Sequence, residues 1–147
     1  MRSIDILMIE DNYKDIELIK NVLGAQKINL RFFTVRDADN TLQFLRQEGI
    51  YNLMPTPDLI LLDWKLSTFE LGEQLLMDIK KIPRCKASTV VLMSAYLHRD
   101  DAAVKRIIQM GAACCIEKPL TLDRLHEIVS VVPDFWFTIV RAQSAPY

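Results

Sequence analysis

The stretch that decides the fold is Asp58-Leu59-Ile60-Leu61-Leu62-Asp63. Its apolar run is short, as in a fully buried strand, and it ends in a carboxylate. Desolvating an ionised carboxylate at the end of a core strand is costly unless partners stand beside it. The same pattern, an apolar run closed by polar groups, recurs along the chain. Glu10-Asp11 follow Ile4 to Ile9, Ser94 follows Val90-Val91-Leu92-Met93, and Lys118 follows Cys114-Cys115-Ile116-Glu117. If these runs are parallel strands of one sheet, an acidic pair, a carboxylate, a hydroxyl and an ammonium converge at one edge.

The intervening segments read as helices. Lys14 to Gly24 places Ile16, Ile19 and Leu23 on one face. After a second strand from Leu30 to Val35, the segment Ala38 to Gln47 carries Ala38, Leu42 and Leu45 on one stripe. The helix beyond Asp63 carries Leu75, Leu76 and Ile79. A fourth strand, Thr89 to Met93, leads to a helix opened by Asp100-Asp101, acids that suit a helix N-terminus. The expected inner face of that helix is Val104, Ile107 and Ile108. A last helix starts near Thr121, a candidate N-cap, with Leu122, Leu125, Val129 and Val132 at helical spacing. This alternation predicts an α/β fold, a parallel sheet with helices on both faces. Ligands of such sheets bind beyond the carboxyl ends of the strands, which is where the polar residues above fall.

A chain of 147 residues, half of them hydrophobic, fits one domain with a full core. The expected division is a domain over 1–134 and a short aromatic tail over 135–147, with no separate effector domain. The tail carries Phe135-Trp136-Phe137, which either packs on its own domain or forms a dimer contact. The 18 basic and 19 acidic residues give a net charge of -1, too weak a field to favour nucleic acid as a direct partner. Met1-Arg2-Ser3 leads into a strand containing Asp5, unlike a signal peptide, and no apolar stretch is long enough to cross a bilayer. The three cysteines have no CxxC or Cys/His zinc spacing, which predicts reduced thiols and a cytoplasmic location. Cys114 and Cys115 are neighbours in a strand and point to opposite faces, whereas Cys85 falls in a polar loop. His98 and His126 are isolated and read as surface residues.

Glu10, Asp11 and Asp63 at one edge would repel. Two like charges about 4 Å apart cost roughly 4 kcal/mol at an effective dielectric of about 20. Such a set protonates or recruits a cation, and hard oxygen donors with few protein contacts suit Mg²⁺, which accepts phosphate oxygens as further ligands. A carboxylate can also act as a nucleophile and become an aspartyl phosphate. Phosphoryl transfer needs in-line positioning and charge neutralisation more than acid–base chemistry. The cation and Lys118 would neutralise two sides of the transferred group, and the Ser94 hydroxyl would bond a third oxygen.

The residues Ile-Glu-Asp-Asn at 9–12, Leu-Leu-Asp at 61–63, Met-Ser-Ala at 93–95 and Glu-Lys-Pro-Leu at 117–120 resemble those of receiver domains of bacterial two-component response regulators. The resemblance covers roughly Asp5 to Val132. It implies a flavodoxin-like (βα)5 doubly wound sheet in the order 2-1-3-4-5, and a phosphoacceptor at Asp63. Glu10, Asp11, Asp63 and the backbone carbonyl of Lys65 would hold Mg²⁺. Ser94 would be the switch hydroxyl and Lys118 the phosphoryl-pairing lysine. A sensor histidine kinase would be the donor, and a downstream protein the target. A narrower set, Leu45-Arg46-Gln47-Glu48-Gly49-Ile50-Tyr51 with 57–63 and Phe135-Trp136, is similar to single-domain regulators that partner cyanobacterial phytochromes, which implies a phytochrome-type photoreceptor kinase and a homodimer.

The sequence also departs from that family. Cys115 stands where an aromatic switch residue is usual, three before the lysine, and Tyr96 is the candidate substitute. Ser67 replaces a common proline, Gly72 follows one residue late, and Lys65 puts an ammonium two residues after Asp63. These changes motivate an alternative, a pseudo-receiver that binds partners without being switched by phosphorylation. A phosphatase with an aspartate nucleophile ranks last, because Lys65 stands where its second acid would be.

Overall fold

The structure, a computed structural model, describes residues 3–24, 29–64, 69–94, 101–121 and 123–124. Strand β1 (Ile4–Ile9) leads to α1 (Tyr13–Gly24), β2 (Leu30–Val35) to α2 (Ala38–Arg46), and β3 (Leu59–Asp63) to α3 (Phe69–Lys80). Strand β4 (Thr89–Ser94), α4 (Asp101–Gln109) and β5 (Cys114–Glu117) follow. The five strands form one parallel sheet in the order β2-β1-β3-β4-β5. That is the flavodoxin-like (βα)5 order expected from the sequence.

Strand alternation sorts the apolar residues into two cores. Ile6, Met8, Leu59, Leu61, Val91, Met93 and Ile116 face α1, where they meet Ile16, Ile19 and Leu23. Leu7, Ile9, Ile60, Leu62, Val90 and Leu92 face the other way, onto Phe44 and Leu45 of α2, Leu75, Leu76 and Ile79 of α3, and Ile107 of α4. Burial on both faces is why the central strands read as unbroken apolar runs. Cys114 joins the first core and Cys115 the second, as adjacent strand residues must.

Three expectations need correction. Ile108 was expected on the inner face of α4 but is 46% exposed. Ile107 is buried, with Val104 and Met110 half-buried three residues to either side of it, and Ile108 lies 100° around the helix from Ile107. In α2 the stripe is centred on Thr41, Phe44 and Leu45, with Ala38 and Leu42 at its margins. Thr41 enters the core because its hydroxyl donates to the Asp37 carbonyl at 2.7 Å, leaving no unpaired polar group. Cys85 does not sit in a polar loop. It is 2% exposed, in the 3₁₀ turn Pro83–Ala87, which tucks the thiol under α3 and β4.

The segment Glu48 to Pro57 contains a further 3₁₀ turn at Gly49–Tyr51, held by a bond from the Tyr51 hydroxyl to Asn40 Oδ1 at 3.0 Å. The Ser88 hydroxyl, at the start of β4, donates to the Pro57 carbonyl at 2.6 Å and fixes the approach to β3. Thr121 Oγ accepts from the Arg124 amide at 3.3 Å, as an N-cap does. The apolar stripe of that last helix, His98, His126 and Phe135-Trp136-Phe137 lie outside the described residues. Among the described residues no helix is long and apolar enough to cross a membrane.

Candidate functional site

Register alone gathers the polar strand ends. Ile9 pairs with Leu62, so the next residues, Glu10 and Asp63, stand side by side. Asp63 pairs with Met93, and the Trp64 amide bonds the Met93 carbonyl at 3.0 Å, which sets Ser94 one step beyond. Ser94 pairs with Glu117, and the Lys118 amide donates to the Ser94 carbonyl at 2.9 Å. Alternation then decides the side. Asp63 follows Leu61 onto the α1 face, while Trp64 follows Leu62 into the opposite core. Glu10, Asp63 and Lys118 therefore meet beneath the N-terminus of α1.

Glu10 is 2% exposed, Asp63 5%, and Asp11 lies open to solvent. Their carboxylate oxygens lie within 4.8 Å of one another. Lys118 reaches into this group. Its ammonium bonds Glu10 Oε2 at 2.6 Å and Asp15 Oδ2 at 2.9 Å, and stands 3.3 Å from Asp63 Oδ1. One half-buried cation thus faces three carboxylates. Burial pushes the Glu10 carboxyl up to about 7, and the Asp63 charge adds to this, against the lowering effect of Lys118. Burial works to lower the Lys118 ammonium, but the bonds to Glu10 and Asp15 and the nearby Asp63 override it, so its pKa is raised. Lys118 stays protonated at any physiological pH.

The surrounding loops hold this geometry. Asn12 caps α1, accepting at Oδ1 from the Lys14 amide at 2.9 Å and the Asp15 amide at 3.2 Å. The Asn12 amide in turn donates to Glu10 Oε1 at 3.1 Å. Behind Asp63, the Trp64 ring is buried against α3, where Gly72 leaves room for it.

The donor set fits a small hard cation. Two oxygens on one ion at about 2.1 Å lie at most about 4.2 Å apart, so small side-chain rotations would close the Glu10, Asp11 and Asp63 oxygens onto one centre. The buried, mutually repelling carboxylates supply the reason for a cation to bind there.

Comparisons with known proteins agree with this geometry. The family model of the response regulator receiver domain matches residues 6–130. The chain belongs to the response regulator receiver domain family. This receiver is 31% identical over 140 residues to response regulator Rcp1 of Synechocystis sp., covering 95% of this chain and 93% of that protein. The crystal structure of the Mn²⁺-bound form of Rcp1 superposes with a TM-score of 0.71 at 28% identity, covering 97% of this chain and 96% of the other. The phosphorylated cyanobacterial phytochrome response regulator RcpA superposes with a TM-score of 0.75 at 33% identity, covering 93% and 96%. The receiver is thus related to phytochrome response regulators.

Of the residues singled out by sequence, the structure brings Glu10, Asp11, Asp63 and Lys118 together. Ser94 stands at the same edge, buried, its carbonyl tied to Lys118. Lys65, Ser67 and Tyr96 lie outside the described residues. Cys115 is half-buried in the α3 core, and burial alone pushes its thiol up to about 11. Sequence reasoning missed Asp15. The signal was present, since Asn12 at an N-cap with an acid three residues later is a helix-start pattern, but nothing along the chain tied it to Lys118.

Proposed function

We propose that this receiver accepts a phosphoryl group on Asp63 from a sensor histidine kinase and signals by binding another protein. The observation that supports this most directly is the Lys118 ammonium, held 3.3 Å from a buried Asp63 carboxylate within an acidic group that suits a divalent cation. In the transfer, the P–N bond of a phosphohistidine on the donor breaks and a P–O bond to an Asp63 oxygen forms. The imidazole leaves with the electron pair and takes up a proton from solvent. Glu10, Asp11 and Asp63, with the Lys65 carbonyl, would hold Mg²⁺, which supplies charge neutralisation when bound. Lys118 neutralises a second side of the group, and the Ser94 hydroxyl donates to a third oxygen. Glu10 orients Lys118 and does not act as a general base. The kinship with RcpA, a cyanobacterial phytochrome response regulator, supports a phytochrome-type photoreceptor as the kinase, and the run of aromatics at Phe135-Trp136-Phe137 supports a homodimer.

Incubating the purified protein with acetyl phosphate and Mg²⁺, followed by intact-mass measurement, tests the acceptor role. The expected result is a Mg²⁺-dependent gain of one phosphoryl group, lost in Asp63→Asn. No gain, or a gain that survives the substitution, overturns it.

One observation favours a second reading. Cys115 occupies the place of the usual aromatic switch and packs as a small core residue, so side-chain rotation there moves little. The chain would then be a pseudo-receiver whose partner reads one fixed surface. In that case Asp63→Ala leaves partner affinity unchanged, and a large loss of affinity rejects it.

A further inference from the structure

We propose that Asp15 receives the Lys118 ammonium when a divalent cation takes Glu10, keeping the lysine beside Asp63 rather than in competition with the metal. The inference rests on the proposed cation loading of Glu10, Asp11 and Asp63. It concerns a residue outside that group.

An ammonium has three donors, and Lys118 has three carboxylate neighbours at 2.6, 2.9 and 3.3 Å. Two of them, Glu10 and Asp63, belong to the acidic group that a cation would use. Without a metal, Lys118 is itself the cation of the site. Loading the site sets an ammonium against a divalent ion on the same oxygens, and like charges that close repel strongly in a partly buried setting. The lysine must shift its hydrogen bonds for the metal to bind well.

Asp15 is where they go. It lies in the first turn of α1, four residues after Asp11, with its amide fixed by Asn12. Its bond to Lys118 already exists at 2.9 Å, so the ammonium needs no swing to reach it. The Asp15 side chain is 35% exposed, against 2% for Glu10, so its charge costs little to keep. Lys118 and Asp15 line one recess with Leu18, Ile19, Met93, Pro119 and Leu120, and Asp15 is its one carboxylate among the described residues. Without Asp15 the ammonium has two courses. It stays on Glu10 and opposes the metal, or it leaves for solvent and is no longer placed for a phosphoryl oxygen. Asp15 is a positioning residue that acts through Lys118.

The test is a double-mutant cycle read by isothermal titration calorimetry with MgCl₂ on the full chain. Asp15→Asn is expected to weaken Mg²⁺ binding about 3- to 10-fold, the scale of one partly exposed charge-assisted hydrogen bond. Lys118→Met, which removes the competitor, is expected to bind Mg²⁺ more tightly than the parent. In the Lys118→Met background, Asp15→Asn is expected to change affinity less than about 2-fold, because its effect runs through the lysine. An equal loss in both backgrounds assigns the effect to the general acidic field and overturns the proposal. Unchanged affinity in Asp15→Asn alone overturns it too. Urea unfolding midpoints confirm that each variant folds, and Lys118→Gln replaces Lys118→Met if that one does not. Mass gain at Asp63 is scored separately, so a protein that follows this cycle but takes no phosphoryl group refutes only the phosphoacceptor reading.

Discussion

Replacing Gly72 by alanine sets two effects of known size against each other. Gly72 is the fourth residue of α3, and alanine there gains about 0.5–1 kcal/mol in helix propensity. The added Cβ would stand 2.9 Å from the Trp64 carbonyl oxygen and 3.2 Å from Cε3 of its ring. Comfortable carbon contacts begin at about 3.5 Å, so both neighbours must retreat. Neither can do so cheaply. The Trp64 backbone is tied to β4 by its amide bond to Met93 at 3.0 Å, and the ring is 3% exposed in the second core. Overpacking of this kind costs about 1–3 kcal/mol, so set against the propensity gain the net expectation is a loss of about 1 kcal/mol, and at most about 2.5 kcal/mol. With a urea m-value of about 2 kcal/mol/M, that lowers the unfolding midpoint by about 0.5 M, and at most about 1.2 M, with m unchanged. Gly24, the last residue of α1, is the control. A Cβ there meets nothing within 4 Å, so Gly24→Ala is expected to hold or raise the midpoint. A Gly72→Ala midpoint equal to or above the parent's would show that propensity outweighs the contact, and that Trp64 does not press on α3 as drawn.

Two further predictions concern the scaffold. Ser88→Ala removes the buried hydroxyl that bonds the Pro57 carbonyl at 2.6 Å and leaves that carbonyl short of a partner, so a loss of about 1–3 kcal/mol is expected in urea unfolding. A loss below about 0.5 kcal/mol would mean that water takes over the carbonyl. Burial holds the Cys115 thiol up to about 11 from an ordinary 9.0. The folded chain keeps that proton longer than the unfolded chain, so the contribution is intact below pH 9.0 and is lost as the pH rises toward 11. In a Cys85→Ala, Cys114→Ala background, iodoacetamide should modify the folded protein slowly at pH 8, and the rate should climb up to pH 11. Reaction at pH 8 as fast as that of a free thiol contradicts the burial.

The sheet was legible because its strands are buried on both faces. Ile4–Ile9 and Leu59–Asp63 are runs that only a doubly covered parallel strand accommodates, and the polar residue that ends each one marks the edge. Helix faces were less legible where tertiary contacts override hydropathy. Ile108 is apolar yet exposed, and Thr41 is polar yet buried, because position on the helix and a local hydroxyl-to-carbonyl bond decide those cases. Cys85 shows the same limit, since its neighbours Arg84 and Lys86 give the segment a polar composition while a 3₁₀ turn folds the thiol inward. At the other end of the sheet, the sequence places Asp5 inside β1 without showing its partner. The β1–β2 register sets it against Arg31, whose guanidinium holds it by bonds of 2.6 and 2.9 Å.

The candidate site was legible as a list but not as a circuit. The sequence places Glu10, Asp63 and Lys118 at strand ends, and a parallel sheet does bring such ends together. It does not say which face each side chain takes, and that is what determines partners. Alternation from Leu61 and from Ile116 turns Asp63 and Lys118 toward α1, so the helix that starts at Tyr13 contributes to their electrostatics. A one-residue slip in the β4–β5 pairing would send Lys118 into the opposite core, away from every carboxylate it now bonds. Ile116 opposes that slip, because it is buried in the α1-side core and would be turned to the other face, whereas Cys114 and Cys115 would only exchange identical side chains. The apolar residue two before Lys118 thus keeps its ammonium among the carboxylates, and the cysteine pair is neutral to that choice.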